Sequence, residues 1–287
     1  MEGIKKSLLE AFIDAALRED VKDGDHTSLA CIDKDSRDRA RLIVKDTGVI
    51  AGISFAEYVF KRLDGSSDFI RLMEDGQDVS PGDVAFEIEC GTHAFLKAER
   101  LVLNTMQRLS GVSSMSRKYA KLVEDLPVTI LDTRKTTPLM RFLEKWAVRV
   151  GGCSNYRDGL YDWIMIKDNH VEASGGVTAA IQKVKSYLEA TSKNLDVTVE
   201  VRDMGELEEA MHEGGIRRIM LDNFEVPELK EAVSLINGRF ESEASGGISY
   251  ENLRAYAETG VDFISVGALT HSAGSLDMSL KIQKHKN

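Results

Sequence analysis

Cysteine is too sparse in this chain to staple it together. Cys31, Cys90 and Cys153 lie far apart and are odd in number, which excludes a disulfide framework and suits a reducing compartment. Long apolar runs are missing as well. None approaches the ~18 residues that a membrane span requires, and the opening MEGIKKSLLEAFIDAALRED is an amphipathic helix pattern carrying acids, unlike a signal peptide. Positive charge is short: 37 Lys and Arg face 47 Asp and Glu, a formal net charge of -10. That balance argues against nucleic acid as the main partner, since phosphate backbones need a broad basic surface. HExxH, CxxC and Walker A patterns are absent, so no metalloprotease, dithiol or P-loop chemistry is indicated. With 43% hydrophobic and 29% charged residues, the expectation is a soluble cytoplasmic protein of one large or two ordinary domains.

Residues 4–19 set Ile4, Leu8, Phe12 and Ala15 or Ala16 at helical spacing, so one face should be buried. Gly24-Asp25-His26-Thr27 breaks that pattern. Strand-like runs follow at 41–45 and 84–90, with a helix near 55–63 and a turn at Ser80-Pro81-Gly82-Asp83 between them. Residues 95–123 read as helical, with a break at Ser110-Gly111. This mixed order makes 1–112 an α+β N-terminal domain, on which a tail at 272–287 is expected to pack back.

The remainder, 113–271, is more regular. Apolar strand candidates at 128–131, 163–166, 197–199, 219–221, 240–244 and 263–266 are mostly separated by helical stretches such as 179–188, 204–213 and 250–258. Alternation of this kind means parallel pairing through right-handed crossovers. After the strands stand Arg134, Lys167, Glu200, Asp222, Ser245 and Gly267, the last four 22, 23 and 22 residues apart. Parallel strands bring all of them to one end, where (β/α) barrels build active sites. Six strands are too few for a closed eight-stranded barrel, so an incomplete α/β barrel is expected. Within it, residues 132–170 carry seven bases against five acids, a basic island suited to a small, multiply charged anion.

The blocks Asp132-Thr133-Arg134-Lys135-Thr136-Thr137-Pro138, Leu143-Glu144-Lys145, Gly151-Gly152 with Asn155 and Arg157, Ile166-Lys167-Asp168-Asn169-His170, Met220-Leu221-Asp222-Asn223-Phe224, Ala244-Ser245-Gly246-Gly247-Ile248 and Ser265-Val266-Gly267-Ala268-Leu269-Thr270-His271 occur in this order. Together they resemble the quinolinate phosphoribosyltransferase (nicotinate-nucleotide pyrophosphorylase) family. Glu19-Asp20, Gly24 to Ser28, Ala98-Glu99-Arg100, Leu103-Asn104 and Gln107 to Gly111 resemble the same family, so the likeness spans nearly the whole chain. The resemblance implies transfer of phosphoribose from phosphoribosyl pyrophosphate to quinolinate with decarboxylation, giving nicotinate mononucleotide, pyrophosphate and CO2 with Mg2+. It also implies a homodimer, or a higher assembly of dimers, whose active site is completed by the partner.

Quinolinate carries two adjacent carboxylates and needs fixed cations, and the guanidinium fork pairs two carboxylate oxygens at once. By the resemblance Arg134, Arg157 and, across the dimer, Arg100 take this role, with Thr133, Lys135, Tyr156 and Lys167 beside them. Glu200 and Asp222 suit the ribose hydroxyls and Mg2+, which is usually held by one or two carboxylates plus substrate phosphates. Ser245, Gly246, Gly247, Val266, Gly267 and Ala268 offer backbone N–H groups to phosphate, and His271 can add a contact. The catalytic set implied is Lys135, Lys167, Glu200 and Asp222. Asp168, Asn169 and His170 read as loop-fixing residues, and Cys153 as a small, inert one. Leu139, Cys153 and Tyr156 depart from the family pattern, Tyr156 standing where a His usually precedes Arg157. A phenol donates a hydrogen bond but does not become cationic near neutral pH. Rival readings stay open on these residues: a related molybdenum-transport-associated paralogue, a catalytically impaired metabolite-binding protein, or a Schiff-base aldolase using Lys167.

Overall fold

The computed structural model describes residues 1–283 and divides into two compact units. The first comprises Met1–Lys118, Thr137–Gly152 and the stretch from Ser272; the second comprises Tyr119–Thr136 and Cys153–His271. The expected division is 1–112, with a tail at 272–287 packing back on it, and 113–271. The chain enters the second unit at 119, returns to the first for 137–152, and returns again after 271.

Helix α1 (Lys6–Val21) buries Leu9 and Ile13, one residue around from the expected stripe. The expected stripe lines a cleft instead, through Phe12, Ala15 and Ala16. Helix α2 (His26–Cys31) starts where a break was read, because the Asp25 carboxylate accepts from the Ser28 N–H at 3.1 Å and caps it. Strands β1 (Arg37–Val44), β2 (Gly48–Val49), β3 (Asp68–Arg71), β4 (Asp78–Val79) and β5 (Val84–Gly91) follow, with α3 (Ile53–Leu63) after β2. The last strand of the chain, β12 (Met278–Ile282), pairs antiparallel with β1, giving the order β12-β1-β5-β3. β1 sends Ala40, Leu42 and Val44 into the core, as period-two alternation requires. Its other face sends Arg39 and Arg41 to Glu87 at 2.7 and 2.6 Å. Phe60 of α3 packs on Phe69, Phe86 and Phe95.

Helix α4 (Thr92–Leu122) runs unbroken for 31 residues through Ser110-Gly111, correcting the expected break. A Cβ on Gly111 would lie 1.8 Å from the Gly274 carbonyl oxygen. The glycine is there for close backbone approach, not to end the helix. Beside it, the Ser110 hydroxyl accepts from the Ala51 N–H at 2.9 Å.

The second unit is built on β6 (Thr129–Leu131), β7 (Ile164–Ile166), β8 (Val197–Val201), β9 (Arg218–Asp222), β10 (Glu241–Ser245) and β11 (Phe263–Ser265). Between them come α5 (Arg141–Gly151), which belongs to the first unit, then α6 (Asp168–Ser174), α7 (Val177–Thr191), α8 (Met204–Glu213), α9 (Val226–Ile236), α10 (Leu253–Ala257) and α11 (Ala268–His271). All strand pairings are parallel, in the order β6-β11-β10-β9-β8-β7. The first strand thus lies beside the last, as in a barrel, and the seam falls between β6 and β7. Only a bridge from Leu131 to Ser154 crosses toward it. This is the incomplete α/β barrel that six strands imply, and β8 is buried at every position, as sheets covered on both faces are.

Candidate active site

The carboxyl ends of the six strands carry the expected residues. Thr133, Arg134 and Lys135 follow β6 and Lys167 follows β7; Glu200 lies within β8, while Asp222 and Ser245 end β9 and β10. Val266, Gly267 and Ala268 follow β11 and lead into α11, which ends at His271. Parallel strands with αβ crossovers leave this end open to loops, so polar side chains converge there without breaking the sheet.

Asp132, fully buried, organises the cationic side. Its carboxylate accepts from the Asn155 side chain at 2.6 Å and from the Tyr156 N–H at 2.8 Å. That fixes the backbone immediately before Arg157, whose Nη1 donates to the Trp163 carbonyl at 3.2 Å. Burial, followed by the Arg134 guanidinium, lowers the Arg157 pKa. A guanidinium destabilised by burial and by a second guanidinium suits an anion as partner. Lys167 is ion-paired with Glu200. Its N–H donates to His170 Nδ1 at 2.9 Å, so His170 secures the turn into α6.

Across the sheet, Lys135 and His271 meet over Gly267. A Cβ there would come within 3.0 Å of both side chains. The Thr270 hydroxyl donates to the Lys135 carbonyl at 2.8 Å, and the Lys135 N–H donates to Thr133 Oγ1 at 3.1 Å. A cation and an imidazole over a glycine turn form a cradle for phosphate oxygens. Gly246, at φ 91°, leaves room for Asn223, whose Oδ1 would be 2.2 Å from a Cβ. Asn223 itself takes φ 58°, donates its N–H to the Ser245 carbonyl at 2.8 Å and its side-chain amide to Asp222 at 2.7 Å.

Burial, reinforced by the Glu200 carboxylate, raises the Asp222 pKa, with Lys167 opposing. Two carboxylates that repel in this way fit a divalent cation shared with substrate oxygens. Among the described residues no cluster of three or more His, Cys, Asp or Glu makes a self-sufficient metal cage. Glu200 and Asp222 are the acidic pair at this end with the donors for a divalent cation.

Three further positions lie away from the strand ends. Arg100 lies on α4 in the first unit, exposed in a cleft of about 520 Å³ with Phe12, Glu19, Asn104, Arg108 and Leu139. The Tyr156 hydroxyl shares a 2.7 Å hydrogen bond with the fully buried Thr198. Cys153 is buried, and burial pushes its thiol up to about 12, which makes it inert at neutral pH. Sequence reasoning missed Thr198, Arg218 and Glu243, which lie inside the barrel strands. The signal was an Arg-Arg pair at 217–218 directly before an apolar run.

Family models cover both halves of the chain: the N-terminal domain of quinolinate phosphoribosyl transferase matches residues 25–110 and its C-terminal domain residues 112–281. The chain belongs to the quinolinate phosphoribosyltransferase family. Among similar proteins, quinolinate phosphoribosyltransferase [decarboxylating] 1b of Nicotiana tabacum is 43% identical over 289 residues, covering 96% of this chain and 82% of that one. The probable nicotinate-nucleotide pyrophosphorylase [carboxylating] of Bacillus subtilis (strain 168) is 39% identical over 279 residues, with 97% and 93% covered. The crystal structure of NadC from Streptococcus pyogenes superposes with a TM-score of 0.91 at 37% identity, covering 99% of this chain and 100% of that one. The nicotinate-nucleotide pyrophosphorylase from Francisella tularensis gives 0.90 at 36% identity, with 98% of each chain covered. For this member of the quinolinate phosphoribosyltransferase family, no helix among the described residues is long and apolar enough to cross a membrane.

Proposed function

We propose that this chain is a decarboxylating quinolinate phosphoribosyltransferase. It transfers the phosphoribosyl group of phosphoribosyl pyrophosphate to the quinolinate ring nitrogen and releases pyrophosphate, CO2 and nicotinate mononucleotide, a step of NAD biosynthesis. The observation that carries the reading is the convergence of two chemistries at one barrel mouth. Arg134 and Lys167 supply cations for a dicarboxylate, with Arg157 close enough to Arg134 to feel its charge, while Glu200 and Asp222 stand opposite a Lys135–His271–Gly267 cradle for phosphate.

Transfer breaks the bond between ribose C1 and the pyrophosphate oxygen and forms one between C1 and the ring nitrogen. Charge develops on the ribose, which the carboxylates of Glu200 and Asp222 stabilise, and on the leaving pyrophosphate, which Lys135 and the backbone N–H groups at 245–247 and 266–268 stabilise. Bound Mg2+ would neutralise pyrophosphate charge between the same carboxylates. The ring nitrogen is then cationic. It accommodates the electron pair left on the adjacent carbon as CO2 departs, and a proton replaces the carboxylate. No nucleophile or strong base is needed, in keeping with a site of positioned charges. A Schiff-base role for Lys167 is disfavoured by its ion pair with Glu200, which occupies the amine.

The assay uses purified protein with quinolinate, phosphoribosyl pyrophosphate and Mg2+, following nicotinate mononucleotide and CO2. Arg157→Ala is expected to weaken quinolinate binding by about 100-fold while leaving phosphoribosyl pyrophosphate binding within about twofold, from loss of a charge-assisted bidentate contact. Turnover of another pyridine carboxylate in place of quinolinate would overturn the substrate, and equal losses for both ligands would overturn the role of Arg157. Arg100, exposed and in the first unit, serves as a contribution to the site of a second copy in a homodimer.

A further inference from the structure

Inside the barrel, below the strand ends that carry the site, lies a polar network that the transfer chemistry does not use. Thr198 of β8 is fully buried, and its hydroxyl accepts from the Trp163 indole N–H at 2.9 Å while sharing the 2.7 Å bond with the Tyr156 hydroxyl. Glu243, fully buried on β10, is bonded by the Ser265 hydroxyl and by Arg218 Nη1 at 3.2 Å. Arg218, 4% exposed, makes two further bonds to Glu241 at 2.9 and 2.7 Å. Its guanidinium lies 3.7 Å from the Phe263 ring centre, 5.0 Å from that of Tyr156 and 5.4 Å from that of Trp163. Burying a carboxylate and a guanidinium is costly unless every polar atom finds a partner, and here hydroxyls, an indole and three rings provide them.

Both ends of this network that face the seam are tied to one residue. Tyr156 is the chain neighbour of Arg157, and Trp163 offers the carbonyl that accepts from Arg157 Nη1. Tyr156 is held by its backbone N–H on Asp132, by its ring edge-on to Trp163 at 5.7 Å, and by its hydroxyl on Thr198. The segment from 154 to 163 is otherwise irregular and fills the seam between β6 and β7. Arg157 rides on a loop held by the Asp132 bonds and by the Asp158–Asp162 turn, and the buried anchor adds a hold from inside the barrel.

We propose that Tyr156 is a positioning residue, which fixes the substrate arginine Arg157 from inside the barrel through Thr198 and Trp163 without itself touching the substrate. The proposal rests on the quinolinate transfer reading. Its logic is steric: a phenol is long enough to reach from the seam to Thr198 near the amino end of β8, and a side chain occupied there cannot also lie on a ligand at the carboxyl ends of the strands. Specificity for the dicarboxylate then comes from the cations alone, and the tyrosine sets how well one of them is aimed.

The discriminating variant is Thr198→Val, because Thr198 is fully buried and no ligand can touch it. Losing one buried hydrogen bond that aims Arg157 is expected to raise the quinolinate KM about five- to tenfold. The phosphoribosyl pyrophosphate KM and kcat should stay within about twofold, since those interactions lie on other strands. Tyr156→Phe should show the same split, the double variant should be no worse than the poorer single one, and Thr198→Ser should restore wild-type behaviour by restoring the hydroxyl. If Thr198→Val does not fold, Trp163→Phe removes a neighbouring donor and is expected to give the same KM split. An effect of Tyr156→Phe with none from Thr198→Val would mean direct substrate contact and overturn the proposal. So would equal losses in both KM values and kcat. A wild-type protein inactive on quinolinate would instead overturn the function, with direct quinolinate binding to the same variants, measured calorimetrically, still testing the aiming of Arg157.

Discussion

Leu139 holds its backbone at φ 64° while its side chain is 86% exposed, so strain there is not offset by burial. A non-glycine residue in the left-handed region costs about 1–2 kcal/mol, against which a glycine's extra freedom in the unfolded chain costs about 0.5–1 kcal/mol. Leu139→Gly is therefore expected to stabilise the protein by about 0.5–1 kcal/mol, read as a higher denaturant midpoint at unchanged slope; a lower midpoint would mean that the leucine is held by contacts. Asp64 makes the opposite case of a residue well served. Hydrogen bonds from Ser66, then from the Gly91 N–H, hold its carboxyl at about 2. A depressed native value means its stabilisation is complete above the unfolded value of about 3.9 and fades as pH falls toward 2. Asp64→Asn should lower stability at neutral pH and flatten the decline between about pH 4 and 2. A parallel acid limb in urea titrations would remove Asp64 from that role. Single residues were the hardest scale to read from sequence. Tyr156 sits in the middle of the basic island, and nothing in its local pattern says that its hydroxyl turns to Thr198, 42 residues away. Arg134 and Lys167 were legible because a cation directly after a buried strand has one end of the barrel to go to.

At the scale of elements, the strands of the second unit were read well because burial on both faces leaves a continuous apolar run bounded by polar residues. β3, with only one residue less than fully exposed in DFIR, and the two-residue β2 and β4 carry no such signal. Helix α5 was missed for a different reason: it buries Glu144 and Lys145 along with Leu143, Trp146, Ala147 and Val148, so charge masks its depth. Glu144 is satisfied by Arg108 at 2.9 Å and by the Thr137 N–H and hydroxyl at 3.0 and 2.7 Å. Gly111 decides between two effects within one helix. Propensity alone favours alanine by about 1 kcal/mol, yet a Cβ at 1.8 Å from the Gly274 oxygen must push backbone apart. Gly111→Ala should therefore destabilise by about 2–4 kcal/mol, as overpacking against backbone does. A thermal midpoint equal to wild type or higher would show that the 272–276 stretch yields freely.

At the scale of the whole molecule, the acidic chain and its basic pocket are reconciled by topology, since parallel strands collect cations from distant sequence positions at one barrel mouth. The assignment of Arg100 belongs to this scale because it concerns two copies. Arg100→Ala and Arg157→Ala chains are each expected to be nearly inactive. Refolded together, they should recover about a quarter of wild-type activity, the share of sites that mixed dimers leave intact when each site draws one arginine from either copy. Verified mixed dimers without recovery would return Arg100 to its own chain. The pairing of β12 with β1 carries a consequence for how such a molecule comes into being. A ribosome delivers β1 early and β12 last, so the first sheet waits with an open edge while the whole barrel is being made. The sheet of the first unit cannot be completed until the second unit has been made, and β1 stays open to misassembly with other chains until then.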